Sequence, residues 1–214
     1  MRALVFNILL FLSACVDYQH SDAFYSVRPN SKDTTINLKD SLGKIKIAIP
    51  NRFDTSFVWT HYSDDGNGQE KYRFQSKYLP INKERGWLWT DPTDSIDQLT
   101  IMHYKHLRLQ DTTESAIRSG HLKSLVLAKQ NPWMRNIIYD SVEIIDDKLF
   151  SIIAVENFDS IKKQNYRYLE AGTLLKGNIV RFEYKLLTKI KDSITDNFLK
   201  DSKRLLQQTK INGL

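Results

Sequence analysis

The residues able to do chemistry in this 214-residue chain are scattered. Five histidines stand at positions 20, 61, 103, 106 and 121, and a single cysteine at position 15. His103 and His106 lie three apart in a segment that reads as a strand, so they point to opposite faces and share no metal without a bulge. His61 and His103 fall on neighbouring expected strands, where they could converge on one face. No cysteine pair, HExxH or clustered aspartate completes a zinc set around them. The DDGNG stretch (64–68) fails as a calcium loop, because Gly68 in the sixth position puts Phe74 where a glutamate is needed. Its Asp-Gly and Asn-Gly dipeptides read instead as a hairpin turn. GTLLKGN (172–178) has the glycine spacing of a P-loop, yet Asn178 stands in place of the lysine and no helix follows. GxSxG and GxGxxG are both missing, and Asp91, Asp94 and Asp97 read as turn and cap residues. The pattern points to no catalytic residue, no metal and no cofactor, and away from an enzyme.

Binding chemistry is denser. Aromatic and basic residues interleave at Trp59, Tyr62, Tyr72, Arg73, Phe74, Lys77, Tyr78, Lys83, Arg85, Trp87 and Trp89. Trp87 and Trp89 share a strand face by the period of two. Aromatic and arginine side chains are the usual anchors of protein-binding surfaces, and flat rings also stack on sugars. Trp59, Tyr72, Arg73, Arg85, Trp87 and Trp89 are therefore the candidate ligand or partner surface. The competing explanation is that these large rings fill the core.

The lone cysteine closes the stretch MRALVFNILLFLSAC. Met1 and Arg2 give a positive start, and Ala3 to Phe11 form an apolar run broken by Asn7. That run is shorter than the roughly 20 residues a membrane span needs, and with small residues before Cys15 it describes a secretory signal peptide. Leu12-Ser13-Ala14-Cys15 resembles the lipobox of bacterial lipoproteins. That resemblance implies cleavage before Cys15, attachment of diacylglycerol and fatty acid to it, and anchoring in the cell envelope. Val16 in the next position points to the outer membrane under the enterobacterial sorting rule, with the periplasmic or surface face left open. With Cys15 lipidated, the mature chain has no thiol for disulfides, nucleophilic catalysis or zinc. The net charge of +6 is spread along the sequence and includes no Lys/Arg cluster able to follow a phosphate backbone. Nucleic acid is therefore not an expected partner. The membrane, reached through the N-terminal lipid, is, together with an envelope protein or glycan.

The elements needed to position such a surface follow from periodicity. Residues 1–14 are the signal peptide, 15–33 the lipidated cysteine and a polar tether reaching on the order of 25 Å, and 34–214 a single domain. KIKIAIP (44–50) alternates lysine with isoleucine, as a half-buried strand does. SFVWTHYS, EKYRFQSKY, GWLWT (86–90) and QLTIMHYKHLRL (98–109) read as further strands. A helix follows, with Asp111 and Glu114 resembling a capping box and Ile117, Leu122, Leu125 and Val126 as its apolar stripe. Four more strands lie between 141 and 188, joined by turns at Asp146-Asp147, Asp159–Lys163 and Lys176-Gly177-Asn178. Such short turns join antiparallel neighbours. SITDNFLKDSKRLLQQ closes the chain as an amphipathic helix with Ser193 as N-cap.

The expected fold class is α+β, a central antiparallel sheet with amphipathic helices packed on it. The order of elements, from KIKIAIP through the mid-chain helix to the YRYLEAGTLLKGNIVRFEYKL hairpin and closing helix, resembles the Mog1/PsbP-like α/β/α sandwich over residues 42–210. Members of that family are mostly binding or assembly accessories. The sequence thus leads to a lipid-anchored, non-catalytic envelope protein of the binding or assembly class. Its alternatives are an envelope hydrolase built from dispersed acids and histidines, or an immunity-type inhibitor.

Overall fold

Alternation builds this molecule. Along Asn178–Thr188, Asn178, Val180, Phe182, Tyr184 and Leu186 are buried while the residues between them are half open, as a sheet with two differently covered faces requires. The computed structural model describes residues 30–62, 68–79, 95–104, 113–132, 134 and 136–212. Cys15 and its leader, the tether up to residue 29, the DDGN turn, His106 and the whole of 80–94 with Arg85, Trp87 and Trp89 lie outside the described residues.

The described elements are β1 (Ser31–Leu38), β2 (Gly43–Pro50), β3 (Thr55–Tyr62), β4 (Gly68–Gln75), β5 (Ile96–Tyr104), α1 (Glu114–Gln130), β6 (Ile137–Ile145), β7 (Lys148–Asp159), β8 (Gln164–Leu175), β9 (Asn178–Thr188), α2 (Ser193–Asp196), α3 (Phe198–Gln207) and β10 (Lys210–Asn212). Seven strands form one sheet in the order β3-β4-β5-β9-β8-β7-β6, and β1-β2-β10 form a small second sheet. All pairings are antiparallel, so the domain is sheet-dominated. Two-residue loops with positive φ at both positions, Asp146-Asp147 and Lys176-Gly177, close the β6–β7 and β8–β9 hairpins. Their left-handed backbone matches the twist of the strands they join.

Antiparallel partners share a face, so the registers assign every side chain of the large sheet. Its first face carries Tyr72, Ile101, Phe182, Ala171 and Ile152 in one line across the strands. The small sheet and α3 pack against this face. Ile45 and Ile47 of β2 join Phe198, Leu205 and Leu206 of α3 in the main core. Tyr184 stacks on Phe198 at 4.9 Å between centroids and meets Phe53 edge-on at 5.9 Å. Each such fully buried large side chain contributes roughly 1.5–3 kcal/mol of apolar transfer. The second face meets α1 over a smaller cluster, in which Leu125 joins Ile153, Val155 and Tyr168.

The structure corrects several expectations. β1 begins at Ser31, three residues inside the stretch read as tether, because Ser31 to Leu38 pair along the whole of β2. The helix cap is Thr113. Of the expected α1 stripe only Ile117 and Leu125 turn inward; Leu122 and Val126 are exposed, and His121 and Ala128 occupy the interface. The C-terminal helix is broken at Asn197, whose side chain donates to the Ser193 carbonyl, and its N-cap is Asp192, which accepts from the Ile194 and Thr195 amides. β10 lacked a periodic signal because it is only three residues long.

Candidate functional site

β3 is the strand at one edge of the large sheet. Its sequence, TSFVWTHY, contains no lysine, arginine, carboxylate or proline. Among the described residues it pairs only with β4. Val58 is 58% and Tyr62 65% exposed. The opposite edge, β6, is interrupted by a bulge between Ile137 and Tyr139 and carries Asp140 and Glu143. On β6, Lys203 from α3 bonds Glu143 at 3.2 Å and lies over the Tyr139 ring. Charges and bulges are the common means of blunting an edge against added strands. β6 has both and β3 has neither.

Beside the start of β3 a cleft of about 380 Å³ opens between the two sheets. Ile49, Phe53 and Phe74 make its apolar floor, and Lys32, Thr34, Asp54 and Ser56 its polar rim. Asp54 is held in place by the Lys77 amide at 2.7 Å. A strand edge with no partner among the described residues, next to a pocket of side-chain size, can take up an extended peptide, the backbone giving affinity and the pocket selectivity.

Strand alternation divides the expected surface residues. Trp59 and Arg73 lie on the second face, with the Arg73 guanidinium 4.8 Å above the Trp59 ring and Arg73 Nε donating to Thr100 Oγ1 at 3.3 Å. Arg73 is only 3% exposed, so it backs Trp59 rather than projecting. Tyr72 belongs to the first face and to the main core, and its hydroxyl donates to the Asn37 carbonyl. Tyr72 is thus core rather than open surface. Arg85, Trp87 and Trp89 lie outside the described residues. Of the six, Trp59 and Arg73 are brought together.

The registers also part the two histidines expected to converge. His61 pairs with Gln69, and Gln69 with Tyr104, whereas His103 pairs with Glu70. They stand on opposite faces. His103 is fully buried beside fully buried Glu70, stacked on Tyr72 at 6.2 Å, with Nδ1 donating to the Tyr104 carbonyl at 3.2 Å. Burial holds its pKa below the ordinary histidine value, against the opposing pull of that carbonyl and of Asp40 and Glu70. Glu70 is neutralised by Lys39 at 2.7 Å, whose pKa rises chiefly through that hydrogen bond. Among the described residues no three His, Cys, Asp or Glu side chains gather to hold a metal ion.

Sequence reasoning missed a third cluster. His121 points from α1 into the sheet, with Nε2 2.6 Å from Asp140 Oδ1 and Nδ1 2.9 Å from Ser151 Oγ. The three residues span 31 positions, and the only hint in sequence was a histidine at the helical spacing of an inward-facing stripe. No described helix is long and apolar enough to cross a membrane. No protein-family model and no curated protein matches the chain.

Proposed function

We propose that this chain is a lipid-anchored binding or assembly-accessory protein of the bacterial cell envelope, whose domain takes up an extended segment of an envelope protein along β3. The observation that carries the reading is the contrast between edges: eight residues of β3 without a charge or proline, against a bulged and charged β6. A bound segment continues the sheet past β3 and sets one side chain into the cleft between Phe53 and Asp54. The anchor follows from Leu12-Ser13-Ala14-Cys15 and places the domain where its partner is concentrated, since tethering raises effective concentration to roughly mM. The α+β sandwich of Mog1/PsbP type fits this role. Support for it comes from α1 on one face of the sheet and α3 with the small sheet on the other.

A photo-crosslinking side chain at Tyr62, with Ile144 on β6 as control, tests the binding site. Capture of the same envelope protein at Tyr62 alone, reduced at least about tenfold by Val58→Lys, is the expected outcome; a charge on an edge strand deters strand addition. Equal capture at both edges, or none affected by Val58→Lys, contradicts it. Cys15→Ser tests the anchor separately: signal processing and membrane retention are both lost if Cys15 is the lipidated residue.

A further inference from the structure

Ser151, His121 and Asp140 form one hydrogen-bonded chain under α1. The Asp140 carboxylate accepts from Nε2, which therefore carries the ring proton, and Nδ1 is left as an acceptor facing the Ser151 hydroxyl. This is the order that lets a histidine take a proton from a serine while a carboxylate steadies the imidazolium. His121 is buried, whereas the Asp140 side chain is 46% exposed and Ser151 half open.

The floor beside the serine is cleared. Val142, Ser151, Gly172 and Arg181 follow one another in a line across β6, β7, β8 and β9. Gly172 sits in mid-strand, where glycine weakens a sheet and often marks a close approach. A Cβ at this position would meet, among the described residues, only Arg181 Cγ, at 4.0 Å. Strands lie about 4.8 Å apart, so Ser151 and Arg181 flank a gap of about 10 Å between their backbones. Arg181 brings a cation to the far side, its Nε 3.8 Å from Glu170.

We propose that this is an acyl-transfer site for small carboxylic esters, with Ser151 as nucleophile, His121 as general base, Arg181 facing the carbonyl oxygen and Asp140 as the positioning residue. As the Ser151 Oγ–carbonyl carbon bond forms, the hydroxyl proton passes to His121 Nδ1 and negative charge develops on the oxygen near Arg181. The carbon–alkoxide bond then breaks, and the leaving alkoxide takes the proton from His121. Water repeats the sequence on the acyl-serine and releases the acid. The site is separate from the β3 edge, and neither reading depends on the other.

The test is incubation of the full chain with a fluorophosphonate probe, followed by peptide mapping. An adduct on Ser151, lost in Ser151→Ala and formed at least about a hundredfold more slowly in Asp140→Asn, is the expected result. The pH profile of labelling differs between the parent and Asp140→Asn. Arg181→Gln lowers turnover of p-nitrophenyl acetate with the melting temperature unchanged. Ser151 left unmodified, or labelled at the same rate in Asp140→Asn, overturns the proposal and leaves the chain as a tie between α1 and the sheet.

Discussion

His103 and Glu70 face each other across β4 and β5, both closed to solvent, and their surroundings treat them differently. Glu70 has the Lys39 ammonium and the Thr60 hydroxyl. His103 has the Tyr104 carbonyl on one nitrogen and the Tyr72 ring alongside, and its burial, outweighing the carbonyl, makes the charged form the costly one. Its lowered pKa means that the folded chain binds a proton less readily than the unfolded chain, which titrates near about 6.5. The stability tied to His103 is therefore complete above that value and falls as pH drops through it. Urea unfolding at pH 7 and pH 5 should show a lower midpoint at pH 5, and His103→Gln should flatten that difference; an unchanged slope in the variant would assign the acid sensitivity elsewhere. Two tyrosines on the other face show the reverse. Burial pushes Tyr166 up to about 12 and Tyr168 well above its usual value, so both stay neutral and act as apolar bodies against α1. None of this was legible in residue types. That Tyr72 and Arg73, adjacent in sequence, have unrelated roles was legible, since a strand sends neighbours to opposite faces, but the aromatic-basic count treated them as one surface.

At the scale of elements, α1 shows where periodicity misleads. Its leucines and valine suggest a stripe through Leu122 and Val126, yet the sheet side takes Ile117, His121, Leu125 and Ala128. The polar ends of Asp140 and Ser151 on β6 and β7 demand the histidine, and a register satisfying His121 turns Leu122, Val126 and Leu127 outward. Leu122→Gln should then change stability by no more than about 0.5 kcal/mol, whereas Leu125→Ala should cost about 1–2 kcal/mol. Thermal or urea denaturation separates the two, and a larger cost at Leu122 would restore the simple stripe. The strands were easier to read. β2 and β9 alternate clearly, and turns such as Asp146-Asp147 declare themselves through residues tolerant of positive φ. β1 was obscured because even the face it shares with the isoleucines of β2 carries Lys32 and Thr34 before Ile36 and Leu38. The break at Asn197 depends on a side chain capping its own preceding turn, which hydrophobic period does not record.

For the whole molecule, the sequence made the sheet-dominated architecture readable because antiparallel neighbours follow each other along the chain, from β3 through β5 and from β6 through β9. It did not reveal that β9 returns beside β5, joining the two runs into seven strands. That long-range pairing decides which strands become edges, and hence that β3 and β6 carry the difference on which the functional reading rests. The Ser151–His121–Asp140 chain is local by contrast, since α1, β6 and β7 follow one another along the sequence. The proposed role of the domain, to offer one strand edge to a partner near an envelope membrane, rests on that difference between the edges among the described residues. Hydrogen exchange along β3 in the full chain tests it most directly. Alternate β3 amides should exchange rapidly in the free protein while those of β4 and β9 stay protected, and should slow when the partner captured at Tyr62 is added. Protection of every β3 amide in the free protein would mean that the edge is already paired, and would contradict the account.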